Sequence, residues 1–310
     1  MYTAWPVLPI QGNRPPMTPR TALGALHAGA LLFGLTGVFG KLASAGPPVI
    51  VFGRAAFAVL ALAIFVGVAR QHWQPLKARD WRGLTLAGML LAGHWVSFFV
   101  AVKVAGVAIA TLGFASFPAF TVILEGLLFR ERIRRNEALL VLLVSIGLVL
   151  VTPDFDLASQ ATSGLLWALF SGLLFALLSL LNRAGSRHIP AVQAALCQNA
   201  VVALCLLPVA GPLLPSVSAL DWLWLGLLGV FCTGVAHSLF VASLAVIKAR
   251  TAAVVFAMEP VYGIAMAWVI FAEQPTLRML MGGVLIILAI VISSRLAAGA
   301  PHTAPATSGG

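Results

Sequence analysis

The chain has 310 residues, of which 61% are hydrophobic and 9% charged, and its formal net charge is +10. A soluble domain carries roughly 25% charged residues, so this composition excludes a protein whose whole surface faces water. A basic excess in a soluble protein would suggest nucleic acid. Here the Lys and Arg residues sit in short segments between apolar runs, which argues for orientation in a bilayer and against a nucleic-acid partner.

In chain order, ten segments have the apolar length a membrane helix needs, roughly 20 residues. They run 21–43, 47–69, 81–102, 106–129, 138–153, 163–182, 190–214, 222–247, 251–271 and 279–294. The first follows Arg14 and Arg20, and Ala43-Ser44-Ala45 resembles a leader cleavage site. Its 20 uncharged residues exceed a typical leader core, so it is read as a span. The fifth and tenth are short, with 16 uncharged residues each, and need their flanks to complete a crossing. A barrel would alternate apolar and polar residues in short segments, whereas these runs are continuously apolar. The fold class is therefore an all-α membrane protein with ten transmembrane helices. Residues 1–20 and 298–310, rich in Pro, Gly, Ser and Thr, read as disordered tails, the first of them cytoplasmic. Cys197, Cys205 and Cys232 lie in apolar runs without a CxxC pair and read as small apolar residues.

Basic residues set the orientation. With the N-terminus inside, Arg14, Arg20, Arg70, Lys77, Arg79, Arg82, Arg130, Arg132, Arg134, Arg135, Arg183, Arg187, Lys248, Arg250 and Arg295 all fall inside. Only Lys41, Lys103 and Arg278 fall outside, and Arg54 lies within a span. Both termini are expected in the cytoplasm, in the plasma membrane (a bacterial inner membrane).

A shift of 142 residues aligns two halves of the chain. It pairs Phe114-Ala115 with Phe256-Ala257, Pro118 with Pro260, and Glu131 with Glu273. A shift of 141 pairs Asp80-Trp81 with Asp221-Trp222. Five spans per copy is an odd number, so the second copy must enter from the opposite face. The charges agree: Arg130, Arg132, Arg134 and Arg135 correspond to Ala272, Gln274, Thr276 and Leu277. Two inverted five-helix repeats, at 21–153 and 163–294, follow. Such repeats are common in secondary carriers, with the substrate near the bilayer midplane.

The segments Ala110-Thr111-Leu112 through Pro118 to Phe129-Arg130-Glu131, and Thr251-Ala252-Ala253 through Glu259-Pro260-Val261 to Phe271-Ala272-Glu273, resemble the EamA family of the drug/metabolite transporter superfamily. The resemblance covers nearly the whole chain. It implies a ten-helix carrier of metabolites, often amino acids or related compounds, frequently moved outward. It also implies a cavity between the third, fourth, eighth and ninth helices, with the fifth and tenth as peripheral support.

Polar residues at membrane depth are costly and usually face a cavity or a partner. Glu259, beside Pro260, is the first candidate, as a proton-coupling carboxylate, a cation site or a structural partner of another helix. Tyr262 lies one turn on, placed to bind substrate or to bond Glu259. His94 and His237 are mid-span and could relay protons or simply bond neighbouring helices. Trp95, Phe98 and Phe240 are candidate cavity walls, and Phe99 accompanies them. Gln198 and Asn199 could bond across helices, and Asn199 is also a candidate for substrate. Arg54 reads as a snorkelling side chain, a carboxylate clamp or the charge partner of Glu259. Glu125 reads as an interfacial ion pair with Arg130, and Glu131 and Glu273 as structural. Gly34, Gly37, Gly40 and Gly282-Gly283 should let helices approach closely.

The partners expected are a small-molecule substrate, membrane lipids and protons, with homodimerisation left open. No cofactor, metal or catalytic residue is expected. A channel or lipid scramblase is the alternative, and a membrane-embedded enzyme is a remoter one. No HExxH, GxSxG or GxxxxGK[ST] motif is present.

Overall fold

The structure, a computed structural model, describes residues 18–70, 73–129, 133, 135–151, 156, 158–185, 189–244, 247, 255–256 and 258–297. Residues 1–17 and 298–310, the Arg130 to Arg132 segment with Arg134, and the 248–254 stretch lie outside the described residues. So do the Glu131 and Thr251 parts of the repeat motif and the Arg130 half of the Glu125 pair. Thr18 to Arg20, expected in the disordered tail, instead cap and begin the first helix.

In lipid every backbone amide must find its partner within the chain, which leaves helices as the answer for apolar runs of this length. The elements are α1 (Pro19–Leu42), α2 (Pro47–Val68), α3 (Ala78–Phe114), α4 (Phe117–Phe129), α5 (Arg135–Val151), α6 (Gln160–Gly185), α7 (Ala191–Ala210), α8 (Ala219–Gly229), α9 (Ala236–Leu244), α10 (Glu259–Phe271) and α11 (Leu277–Ala297). No strand occurs among the described residues. Among the described residues six helical runs are long and apolar enough to cross a membrane, and four shorter apolar helices accompany them. Large apolar side chains such as Val68, Leu127, Val269 and Leu277 point outward, each more than two-thirds exposed. That outer face suits lipid and not water.

Local chemistry sets the helix ends. Thr18 caps α1, accepting from the Thr21 amide at 3.3 Å, ahead of Pro19. Asp80 accepts from the Lys77 amide at 2.8 Å, and the Ser218 hydroxyl accepts from the Asp221 amide at 3.0 Å. The aspartates paired in the repeat thus occupy equivalent helix starts.

At 37 residues, α3 would run about 55 Å if straight, well beyond a hydrocarbon core of about 30 Å. Gly106 divides it, with φ +83° and ψ 173°. A side chain is strongly disfavoured there, so the chain turns where the sequence predicts the link between its third and fourth spans. The fourth span breaks again at Ala115–Ser116, just before Pro118. The eighth span loosens into a π-helical stretch, Val230–Val235.

The helices pair in a regular pattern. α1 packs on α10 and on α8 and α9, while α6 packs on α4 and on α3. α2 packs on α7 and on α8, and α7 packs on α3. α5 and α11 pack against each other, and a Cβ on Gly147 would stand 2.8 Å from the Gly282 carbonyl oxygen. The main core joins α2, α3, α7 and α8 around Phe99, Ile50, Val51, Val202 and Leu225.

Candidate functional site

The apolar interior holds one cluster of polar side chains around Arg54. Arg54 lies seven residues into α2 and is only 4% exposed. It does not snorkel. Its Nε donates to Thr233 Oγ1 at 2.8 Å, in the π-helical stretch. Its guanidinium lies over the Trp95 ring at 4.0 Å from the centroid, with Phe99 at 6.0 Å. A cation on the face of a tryptophan, away from water, gains from the ring quadrupole. The Nη nitrogens of Arg54 donate to nothing among the described residues.

Next to Thr233 in sequence, Cys232 meets the Thr36 hydroxyl of α1. That hydroxyl is buried and has no hydrogen-bond partner of ordinary geometry among the described residues. Glu259, at the start of α10, lies within electrostatic reach of Arg54. The two are not in contact: among the described residues the ion pair is Lys41 with Glu273. The two side chains therefore lie within reach of one another without joining.

The other predicted residues divide. His94 is also within electrostatic reach of Arg54, but its ring is occupied. Ser171 Oγ donates to the His94 carbonyl at 3.0 Å and lies 2.7 Å from Nδ1. The imidazole packs between Phe114 and Phe175, at 5.0 Å from each centroid. Phe98 packs edge-on to Phe99 and Phe114. The Tyr262 hydroxyl meets His27 Nδ1 at 2.9 Å and not Glu259. His237 Nε2 is buried without a partner among the described residues. The side chain of Phe240 lies outside the described residues. Asn199 Nδ2 donates to the Ala195 carbonyl of its own helix at 2.8 Å, and its Oδ1 is unpartnered among the described residues. Gln198 does bond across helices, to Asn182 Oδ1 at 2.8 Å.

Sequence reasoning passed over Thr36, Thr233, Ser171 and His27. Hydroxyls are frequent in membrane helices, so each alone is a weak signal. Thr233 between Cys232 and Gly234, in a run of large apolar residues, is the one local cue.

A second polar group lies at the end of the bundle where α1 finishes. Lys41 pairs with Glu273 and sits 4.9 Å from the Phe271 centroid. The other Glu273 oxygen accepts from the Val107 amide at 3.1 Å, capping the helix that restarts after Gly106. Lys103 donates to the Ala43 carbonyl, and the Ser44 amide donates to Asp221 at 2.6 Å. Both Glu273 oxygens are thus engaged within the bundle. Among the described residues there is no group of His, Cys, Asp and Glu suited to a metal ion.

The chain is similar to known proteins over most of its length. The chain is 22% identical over 272 residues to an uncharacterized transporter, YxxF, of Bacillus subtilis (strain 168), covering 86% of this chain and 87% of that protein. It is 27% identical over 272 residues to an uncharacterized transporter of Archaeoglobus fulgidus (strain ATCC 49558 / DSM 4304 / JCM 9628 / NBRC 100126 / VC-16), covering 87% and 95%. A solved crystal structure shares the fold, with TM-score 0.60 at 22% identity over 91% of this chain and 99% of that one. The model of the EamA-like transporter family matches at residues 20–152 and again at 162–295. This multi-pass integral membrane protein, a transporter and not an enzyme, belongs to the EamA-like transporter family of the drug/metabolite transporter superfamily.

Proposed function

We propose that the chain is a secondary carrier that moves a small metabolite, an amino acid or related compound, outward by alternating access. Its two halves, 21–153 and 163–294, are inverted five-helix repeats around a shared site. Both termini face the cytoplasm, and the membrane is a bacterial inner membrane.

The observation that carries this reading is the Arg54 group, a polar site in an apolar interior. It draws on α1, α2 and α3 from the first half, and on the Thr233 stretch and α10 from the second. The pairing of helices supports the repeat. Exchanging the halves turns α1 on α10 into α6 on α4, and α2 on α8 into α7 on α3. The α2–α7 and α5–α11 pairs map onto themselves. Shifting α4, Phe117–Phe129, by the same 142 residues gives α10, Glu259–Phe271. Each carries its proline at the second position. Because each copy has an odd number of spans, equivalent loops must face opposite sides.

Substrate binds near Arg54, Trp95, Phe98 and Glu259, with His94, Asn199, His237, Phe240 and Tyr262 as further contacts. Glu259, His94 or His237 couples a proton. The test is counterflow in proteoliposomes loaded with an unlabelled amino-acid mixture. A carrier gives labelled uptake that unlabelled substrate on the far side accelerates. Uptake indifferent to far-side substrate would make the protein a channel. Tags near Asp154 and Arg132 should be reached from opposite faces of the cell.

A further inference from the structure

We infer that Arg54 is the specificity-determining anchor for a carboxylate on the transported molecule. The inference rests on the carrier reading above and adds the charge class of the substrate.

The argument begins with the donors of the guanidinium. An arginine carries five N–H donors in a rigid planar fork. Thr233 takes the Nε hydrogen. Trp95 takes the face of the ion. The Nη edge remains, with four donors and no acceptor among the described residues. That is the edge suited to a carboxylate, which accepts two parallel hydrogen bonds from it.

Energetics point the same way. A buried guanidinium with no paired anion is costly, and tryptophan stacking offsets only part of that cost. Glu259 is near enough to be felt but is not joined to Arg54. Thr233 and Trp95 hold the fork from two sides. The side chain is therefore fixed in advance, as a binding group needs to be.

The test compares each acid with its own primary amide. Purified full-length protein is screened by thermal unfolding against the L-amino acids, their deaminated acids and the matching amides. Arg54→Gln and Arg54→Lys are screened in parallel. Carboxylates should stabilise the wild type, with the matched amide weaker by about tenfold or more, because a bidentate charged contact is lost. R54Q should lose the difference between acid and amide, and R54K should keep part of it. An amide within about threefold of its acid overturns the inference, as does a set in which no carboxylate binds better than its amide. The wild-type comparison decides the matter even where R54Q fails to fold. The carrier reading is judged separately, by counterflow of the best ligand. Tight binding with acid selectivity but no counterflow refutes the carrier and leaves the anchor standing. Counterflow without acid selectivity does the reverse.

Discussion

Replacing Lys41 and Glu273, singly and together, separates two jobs that one carboxylate performs. Glu273 is paired with Lys41 through one oxygen and caps Val107 through the other. The side chains are 33% and 20% exposed. Coulomb attraction at contact in such a setting is about 4 kcal/mol gross at an effective permittivity near 20. Desolvation and the ordering of two long side chains offset most of it, leaving about 1 kcal/mol. The helix cap contributes about 1 kcal/mol more. Lys41→Met should therefore cost about 1 kcal/mol and Glu273→Ala about 2 kcal/mol. The double variant should match Glu273→Ala, so that the cycle gives a coupling near 1 kcal/mol. Glu273→Gln keeps an acceptor for Val107 and should resemble Lys41→Met. The assay is denaturant unfolding of the purified protein in detergent, followed by far-UV circular dichroism. A coupling below about 0.3 kcal/mol, or a Glu273→Ala variant milder than Lys41→Met, would refute the two-job assignment.

Gly106→Ala should destabilise by about 1–3 kcal/mol, because φ is +83° and the new Cβ would stand 3.0 Å from Glu273 Oε1; unchanged unfolding would show that the turn tolerates a side chain. Gly34→Ala places a Cβ 2.8 Å from the Glu259 carbonyl oxygen and 3.0 Å from the Gly263 amide nitrogen. Backbone cannot swing aside, so a loss of about 1–3 kcal/mol is expected. Gly24→Ala, with nothing within 4 Å, should be neutral or stabilising by up to about 1 kcal/mol; equal effects at the two sites would contradict the packing. Ser171→Ala removes both bonds to His94 and should cost about 1 kcal/mol, a typical interhelical value in membranes. A proton-relay role for His94 in place of a structural one would appear as altered transport with unchanged stability.

The sequence made the spans legible because lipid imposes a simple rule: apolar for about 20 residues, then a break. The first, second and sixth spans match α1, α2 and α6 within a few residues. The turn between the third and fourth was expected at 103–105 and falls on Gly106, the next residue and the one able to take that φ. The break before α4 had a visible cause in Pro118, which cannot donate to the preceding turn. The π-helical stretch at Val230–Val235 had none, since an extra residue in a turn leaves the composition unchanged. Arg54 stood out by charge and depth, but its partners did not. Thr233 is 179 residues away in sequence, and the Tyr262 to His27 bond spans 235. Neither separation leaves a local trace. Glu259 was legible as an intramembrane acid, and its lack of a contact ion pair could be learned only from the packed bundle.

Three of the polar contacts at the α1 end share a feature that bears on how such a bundle could move. Lys41 with Glu273, Val107 with Glu273 and Ser44 with Asp221 each join a residue of the first half to one of the second. At the opposite end two neutral contacts among the described residues also cross the halves. Gln74 and Gln193 exchange two amide bonds at 3.0 and 2.8 Å, and Ser243 donates to the Ala22 carbonyl at 3.0 Å. Charged groups recover hydration when they part, so each crossing at the α1 end is worth about 1 kcal/mol net. A few such contacts hold a closed end by a few kcal/mol, which is the size of gap that separates two populated states of one protein. The proposed carboxylate on Arg54 would sit several residues deeper on α2, against Trp95 of α3. Its charge-assisted bonds are individually worth about as much as one of these crossings or more. On the proposed carrier reading, an open and a closed state that differ by one such bond to the Nη edge would differ by enough for a carboxylate substrate to shift the balance between them.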